Sequence, residues 1–280
     1  MIVFKLSKDL EAFSQKWRNP SDLIGFVPTM GALHEGHISL ILKSRQICCQ
    51  TLVSIYVNPT QFNNEDDFKK YPVTLEKDIY LLEKNHPDAV FLPNSKEIYG
   101  NTAIAQKYDL GYYEDILEGK YRPGHYQGVC QVVERLLKVV KPTHLFLGQK
   151  DYQQCMVIKK LIQLLNLHIE AVICPTVREP DGLAMSSRNL RLTEKQRIQA
   201  AKIYACLVFL QQHISVGKLN LLKRKAIDNL TRQEFNVDYV EICDADNLIP
   251  VSEWDGKQRL IALIAASIGE VRLIDNIFLT

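Results

Sequence analysis

The order of apolar and polar positions gives the chain two rhythms. In the first, short apolar runs alternate with longer amphipathic ones. Leu23 to Val27 reads as a buried strand, and Ile38 to Cys48 carries apolar residues at helical spacing. Leu52 to Val57, rich in β-branched residues, predicts a second strand. Val73 to Leu82 predicts a helix, and Ala89 to Leu92, after Pro87-Asp88, a third strand. Val129 to Val140 reads as a helix that stops at Lys141-Pro142. His144 to Leu147 then predicts a strand, Tyr152 to Leu165 a helix and Ile169 to Cys174 another strand. Strands alternating with helices predict a parallel sheet covered on both faces, which binds ligands at the carboxyl ends of its strands.

After Pro175 the rhythm changes. Thr193 is placed to cap a long helical stretch reaching about His213, and a second helix runs from about Leu219 to Phe235. Three strand-like runs follow: Val237 to Ile242, Arg259 to Ala266 and Val271 to Ile274. Helices followed by adjacent strands fit a small α+β domain, with the boundary near Thr176.

Composition narrows the classes. A chain of 280 residues suits one large domain or two modest ones. A hydrophobic share of 46% with 24% charged residues excludes disordered, collagen-like and coiled-coil chains. With 34 Lys+Arg against 32 Asp+Glu, the net charge of +2 argues against a nucleic-acid or membrane-surface binder. Seven cysteines are scattered without a C-x-x-C pair, so zinc and thioredoxin-like readings lack their spacing. Free thiols in a reducing cytoplasm are the simplest account. The start, Met1 to Leu6, lacks the pattern of a signal peptide. The apolar run Leu260 to Ile268 is far short of the roughly 18 residues a membrane span needs.

Five segments carry chemistry. Pro28-Thr29-Met30-Gly31-Ala32-Leu33-His34-Glu35-Gly36-His37 follows the first core strand and opens a helix. Unpaired N–H groups and the helix dipole favour an anion there, and histidines can donate to phosphate oxygens. The reading is a triphosphate cradle without a P-loop lysine; the plainer alternative is a turn with two half-buried histidines. Zinc at His34 and His37 lacks a third ligand at matching spacing, so no metal site is expected. Asn58 and Gln61, in Val57-Asn58-Pro59-Thr60-Gln61-Phe62, offer amides at a strand's carboxyl end to a small polar substrate, although Asn-Pro is also a common turn. Glu65, Asp66 and Asp67 read as a solvated helix start. Tyr121-Arg122-Pro123-Gly124-His125-Tyr126-Gln127-Gly128 suits phosphate binding or an ordinary turn. In Gly148-Gln149-Lys150-Asp151, Lys150 offers a charge for phosphate, and Asp151 can hold a ribose hydroxyl, an amine or hydrated Mg²⁺; the alternative is an exposed helix cap. Gly182 to Asn189, with Ser186, Ser187 and Arg188, suits a loop closing on phosphates or an N-cap cluster.

Together these segments resemble the pantothenate synthetase (pantoate–β-alanine ligase) family of the class I nucleotidylyl-transfer superfamily. The first is similar to the H-x-G-H element of that superfamily, and Met185-Ser186-Ser187-Arg188 to its K-M-S-K-S element. With N-P-x-Q-F, R-P-G-H-x-x-G-V, G-x-K-D-[YF]-Q-Q and the closing Arg272-Leu273-Ile274-Asp275-Asn276, the motifs follow family order from residue 28 to 276.

The resemblance implies a Rossmann-like parallel sheet with helices on both faces over residues 1–176, binding nucleotide and pantoate, and a smaller α+β C-terminal lid domain over 177–280. It implies condensation of pantoate with β-alanine through a pantoyl adenylate, with ATP and Mg²⁺ as substrate and release of AMP and pyrophosphate. No tightly bound organic cofactor is expected. His34 and His37 would contact ATP phosphates, His37 being the residue usually given the general-acid role. Met30 and Gly31 would pack near the nucleotide, and Gly148, Lys150 and Asp151 would hold phosphate and ribose. Val177 would touch adenine, and Met185, Ser186, Ser187 and Arg188 would close over the phosphates. Asn58, Gln61 and Gln154 would bind pantoate and β-alanine, with Arg122 and His125 behind them. A cytoplasmic homodimer without nucleic-acid or membrane partners is also implied. Gln149 stands where many members carry Glu, and Thr60 where Met is frequent. Rival readings are weaker. Phosphopantetheine adenylyltransferases are shorter and lack the Asn58/Gln61 segment, a tRNA synthetase fragment would need a tRNA-binding surface, and a non-catalytic nucleotide-binding module would not need His37, Lys150 and Arg188.

Overall fold

The computed structural model describes residues 1–17, 19, 22–100 and 106–280. The chain divides into two compact units, one of residues 1–148 and 154–175, the other of 149–153 and 176–280.

The first unit contains β1 (Ile2–Phe4), α1 (Ser7–Trp17), β2 (Ile24–Thr29), α2 (Glu35–Ile47), β3 (Gln50–Ile55), α3 (Glu65–Lys69), α4 (Leu75–Asn85) and β4 (Ala89–Phe91). It continues with α5 (Ser95–Tyr99), α6 (Leu117–Tyr121), α7 (His125–Val140), β5 (His144–Gly148), α8 (Tyr152–Leu164, its first two residues grouped with the second unit) and β6 (Glu170–Cys174). Six parallel strands form one sheet in the order β1-β4-β3-β2-β5-β6. The parallel sheet read from the alternation is therefore present. The three-residue edge strand β1 is an addition, because so short a run carries no period.

Strand order reverses at β2, where α/β sheets place their ligands. The β2–β3 ladder runs the full strand to Thr29↔Ile55, but pairing of β2 with β5 stops at Phe26↔Leu145. Val27 to Thr29 and Phe146 to Gly148 therefore share no ladder, and the chain leaves β2 beside a gap in the sheet. Helix α2 packs on β2, β3 and β5. Its Ile38 and Ile41 join Val27, Val53, Val90 and Phe146 in one buried cluster. Burying a side chain of this size contributes about 1.5–3 kcal/mol, so the start of α2 rests on a rigid base.

The second unit contains α9 (Glu194–Ala200), α10 (Lys202–His213), β7 (Gly217–Lys218), α11 (Asn220–Arg232), β8 (Asn236–Asp244), β9 (Glu253–Trp254), β10 (Leu260–Ile268) and β11 (Val271–Phe278). An antiparallel sheet ordered β11-β10-β8 packs against α10 and α11 around Leu207, Leu210, Leu230, Ile242 and Ile264. Thr193 caps α9 in a box with Gln196. The single long helix expected to His213 is two helices, parted at Ala201. Strand β11 runs on to Phe278, past the expected end at Ile274, because the polar Asp275 and Asn276 are buried rather than exposed. Among the described residues no helix is long and apolar enough to cross a membrane.

Candidate functional site

In the first unit, Gly31 (φ +81°) and Ala32 (φ +48°) turn the chain from β2 into α2. A left-handed alanine costs about 1–2 kcal/mol, so the turn needs an external hold. Asp78 of α4 supplies it. Its carboxylate accepts from Ala32 N (2.9 Å), Leu33 N (2.8 Å) and the Thr74 hydroxyl (3.0 Å), and its residue is 1% exposed. A Cβ on Gly31 would lie 3.0 Å from the Asp78 carboxylate, so glycine also serves close approach. A cavity of about 220 Å³ opens beside this turn, lined in part by Met30, Gly31, Tyr56, Val57 and Asp78.

The turn delivers two histidines to the start of α2 in a reciprocal capping arrangement. Nδ1 of His34 accepts from Gly36 N at 3.2 Å, and Nδ1 of His37 accepts from His34 N at 3.3 Å. A backbone N–H can only donate, so each Nδ1 is the lone-pair nitrogen and each ring proton lies on Nε2. The rings are 4.1 Å apart by centroid and tilted 45°. Glu35 between them is exposed.

The second and third segments form one polar network. Asn58 caps the short 3-10 turn Pro59–Gln61. Its Oδ1 accepts from the hydroxyls of Thr60 (3.1 Å) and Tyr99 (2.6 Å). Its Nδ2 donates to Gln61 Oε1 and Gly128 O, both at 3.2 Å. Burial pushes the Tyr99 hydroxyl up, keeping it a neutral donor, and Arg135 lies over its ring at 4.7 Å. Asn58 is 1% exposed and has partners on both amide atoms, one of them Gln61. Gln61 in turn donates to Sδ of Met30, joining this network to the histidine turn. Arg122 Nη1 lies 3.2 Å from His125 Nε2; arginine can only donate, so His125 carries its proton on Nδ1 and donates it to Gln61 O at 2.7 Å. The segment Tyr121–Gly128, open between phosphate site and turn, is thus half helix and supports Gln61. Gly128 is required because a Cβ there would meet Thr60 O at 2.3 Å. Gln154 stands half-buried in the first turn of α8. Gly148 closes β5.

In the second unit, Lys150 and Asp151 lie on a 3-10 turn, Gln149–Asp151, with Nζ 3.7 Å from the carboxylate. Val177 and Met185 are joined by a 3.0 Å backbone bond across the turn at Gly182. Ser186 caps a 3-10 helix, Ser187–Arg191, by accepting from Arg188 N. Both sequence readings of this segment are therefore compatible with the fold. Arg178 forms a bidentate pair with Asp275 at 2.6 and 3.0 Å. Burial pushes the Asp275 carboxyl up, and the Arg178 guanidinium opposes that shift.

Asp78, Tyr99 and Arg178 were not singled out in the sequence. Asp78 left one trace, an acid four residues before Leu82 on the apolar side of a helix. Among the described residues no group of three or more His, Cys, Asp and Glu is placed to hold a metal ion.

A model of the pantoate-beta-alanine ligase family matches residues 2–278. The chain belongs to the pantoate–β-alanine ligase family. Pantothenate synthetase of Azobacteroides pseudotrichonymphae is 44% identical over 279 residues, covering 99% of both chains. That of Thermotoga neapolitana is 42% identical over 284 residues, covering 100% of each. The crystal structure of pantothenate synthetase from Thermus thermophilus superposes with TM-score 0.89 at 36% identity, covering 100% of this chain and 99% of that one. Pantoate-beta-alanine ligase from Francisella tularensis, complexed with beta-gamma ATP and beta-alanine, gives TM-score 0.84 at 37% identity, covering 100% and 98%. The two-part fold, a six-stranded parallel sheet and an antiparallel C-terminal part, is that of the pantoate–β-alanine ligase family.

Proposed function

We propose that this chain condenses pantoate with β-alanine in two steps. Pantoate's carboxylate oxygen attacks the α-phosphorus of ATP, the bond to the β-phosphate oxygen breaks, and pyrophosphate leaves. The amine of β-alanine then attacks the acyl carbon of pantoyl adenylate, and AMP leaves with the acyl–oxygen bond. The observation that carries this reading is the histidine capping pair. It fixes His34 and His37 as Nε2–H donors at a helix start, where the N-terminal dipole already favours phosphate. Donors fixed in advance stabilise charge growing on the leaving phosphates without reorganising. A neutral Nε2–H keeps its proton, so in this reading His37 acts by hydrogen bonding to the leaving phosphates rather than by transferring a proton to them.

In this reading Met30, Gly31, Gly148, Lys150, Asp151, Val177, Met185, Ser186, Ser187 and Arg188 hold ATP. Asn58, Gln61 and Gln154 bind pantoate and β-alanine, and Asn58 also fixes Gln61. Mg²⁺ would arrive on the ATP phosphates and neutralise their charge. Asp151, whose side chain is 47% exposed, is a suitable carboxylate for an ion that keeps most of its ligands from phosphate and water. The proposal further assigns residues 1–176 to nucleotide and pantoate binding and 177–280 to a lid, in a cytoplasmic homodimer. Seven free thiols, six of them buried, suit a reducing compartment.

Pantoate-dependent exchange of labelled pyrophosphate into ATP, with Mg²⁺ and without β-alanine, tests the reading. Exchange, followed by AMP and pantothenate when β-alanine is added, is the expected result. Folded protein that binds ATP without exchange would overturn it.

A further inference from the structure

Two of the segments assigned to ATP, Gln149–Asp151 and Met185–Arg188, lie in the second unit and are linked by a chain of contacts that runs through Arg178. Arg178 Nη1 donates to Gly182 O at 3.0 Å as well as to Asp275 Oδ2, and Nη2 donates to Asn276 O at 3.2 Å as well as to Asp275 Oδ1. Its guanidinium lies 4.0 Å from the centroid of the Tyr204 ring, which covers the face that hydrogen bonds leave open. Gly182 starts the segment that leads to Met185, and Met185 N is bonded to Val177 O beside Arg178. Asp275 Oδ1 accepts from Asn276 N at 2.8 Å. The Asn276 amide then reaches the other segment, donating to Gln149 O (2.8 Å) and Lys150 O (2.9 Å) and accepting from Gln149 Nε2 (3.1 Å). Asp275 is 5% and Asn276 1% exposed.

Resting on the functional reading above, we infer that Arg178, acting through Asp275 and Asn276, is a positioning residue that registers the Lys150 turn against the Ser186–Arg188 segment. The chemistry demands such a part. Lys150 and Arg188 are long, flexible cations, and a cation stabilises phosphate charge only where its backbone holds it in place. A forked ion pair with a buried carboxylate, whose two Nη atoms and Oδ1 also bond backbone groups, fixes geometry better than it adds stability. Glutamine at 149 fits this network because its amide can donate to Asn276, which a carboxylate could not do.

The test uses Arg178→Lys, which keeps a cation beside Asp275 but loses the fork, and Asn276→Ala, which removes only the amide. Both are measured in the full chain at a temperature where circular dichroism shows them folded. Affinity for a non-hydrolysable ATP analogue is read by calorimetry, and KM for ATP and for pantoate in the exchange assay. Each single variant should bind the analogue about tenfold more weakly, as for the loss of one charge-assisted phosphate contact, with pantoate KM unchanged. The double variant should be no weaker than the worse single one, because both act on one chain of contacts. Folded variants with wild-type analogue affinity would overturn the inference. So would equal weakening of ATP and pantoate with additive effects, the mark of general destabilisation, or failure of both variants to fold. Absence of exchange in the wild type would refute the ligase reading instead, while analogue affinity would still decide this one.

Discussion

The two ring nitrogens of His37 do different jobs, and two substitutions separate them. Asparagine places an oxygen about where Nδ1 lies but ends before Nε2; glutamine reaches the Nε2 position with an N–H but abandons the Nδ1 position. His37→Asn should therefore keep the bond that His34 N donates at 3.3 Å and lose the outward donor. A hydrogen bond to a charged group is worth about 1.5–3 kcal/mol, so the exchange rate should fall roughly 10- to 150-fold with little change in melting temperature. His37→Gln should behave in the opposite way. It forfeits a cap worth about 0.5–2 kcal/mol, or about 2–4 °C per kcal/mol for a domain of this size, while retaining more activity. The assays are pyrophosphate exchange at saturating ATP and pantoate, and calorimetric melting of the same preparations. An asparagine variant as active as wild type, or more active than a fully folded glutamine variant, would refute the tautomer argument.

Three further outcomes follow from the same geometry. Asp78→Asn presents an amide N–H to backbone donors that now meet a carboxylate, so ATP KM should rise several-fold in protein that is still folded; ¹⁵N shifts of His34 and His37 should lose the Nε2–H signature, and unchanged shifts would count against the role of Asp78. Native protein should give one fast equivalent with a thiol reagent, from exposed Cys49, and none in Cys49→Ser; burial pushes Cys48 up to about 11 and Cys130 and Cys206 up to about 12, so fast reaction elsewhere would contradict the packing. Hydrogen bonding from Arg197 holds the Asp181 carboxyl below its usual range, so this half-exposed pair contributes stability above pH ~4 that is lost as pH falls through the lowered pKa. Arg197→Met should accordingly unfold at slightly lower urea at pH 7, with the difference from wild type shrinking toward pH 3.

The sheet was legible because its strands are buried on both faces and read as apolar runs, as in Leu52–Val53 and Leu145–Phe146. The histidine turn was legible because strand, glycine and helix follow in sequence. Two kinds of information were not. Ala201 parts α9 from α10 while the apolar pattern continues, without a proline or glycine to announce the break. Asp275 and Asn276 looked like the end of a strand because buried polar residues are indistinguishable from exposed ones until their partners are known, and Arg178 is 97 positions away from Asp275. Asn58 shows the same limit within the candidate site. Its residue type pointed to substrate, and its protein partners Tyr99 and Gly128, 41 and 70 positions along the chain, left no trace in the local sequence.

The five residues 149–153 belong to the second unit, although helix α8 and strand β6 separate them from the rest of it. Tyr152 donates to Ala245 O at 2.7 Å and meets the Phe278 ring edge-on, while Gln149 and Lys150 engage Asn276. A fragment cut at Thr176 would leave these partners behind, exposing an aromatic face and an unsatisfied buried amide. The C-terminal part is thus no interchangeable cassette. During synthesis it completes itself on a piece of chain made earlier, and chimaeras between relatives should fold only when residues 149–153 and 176–280 come from the same parent.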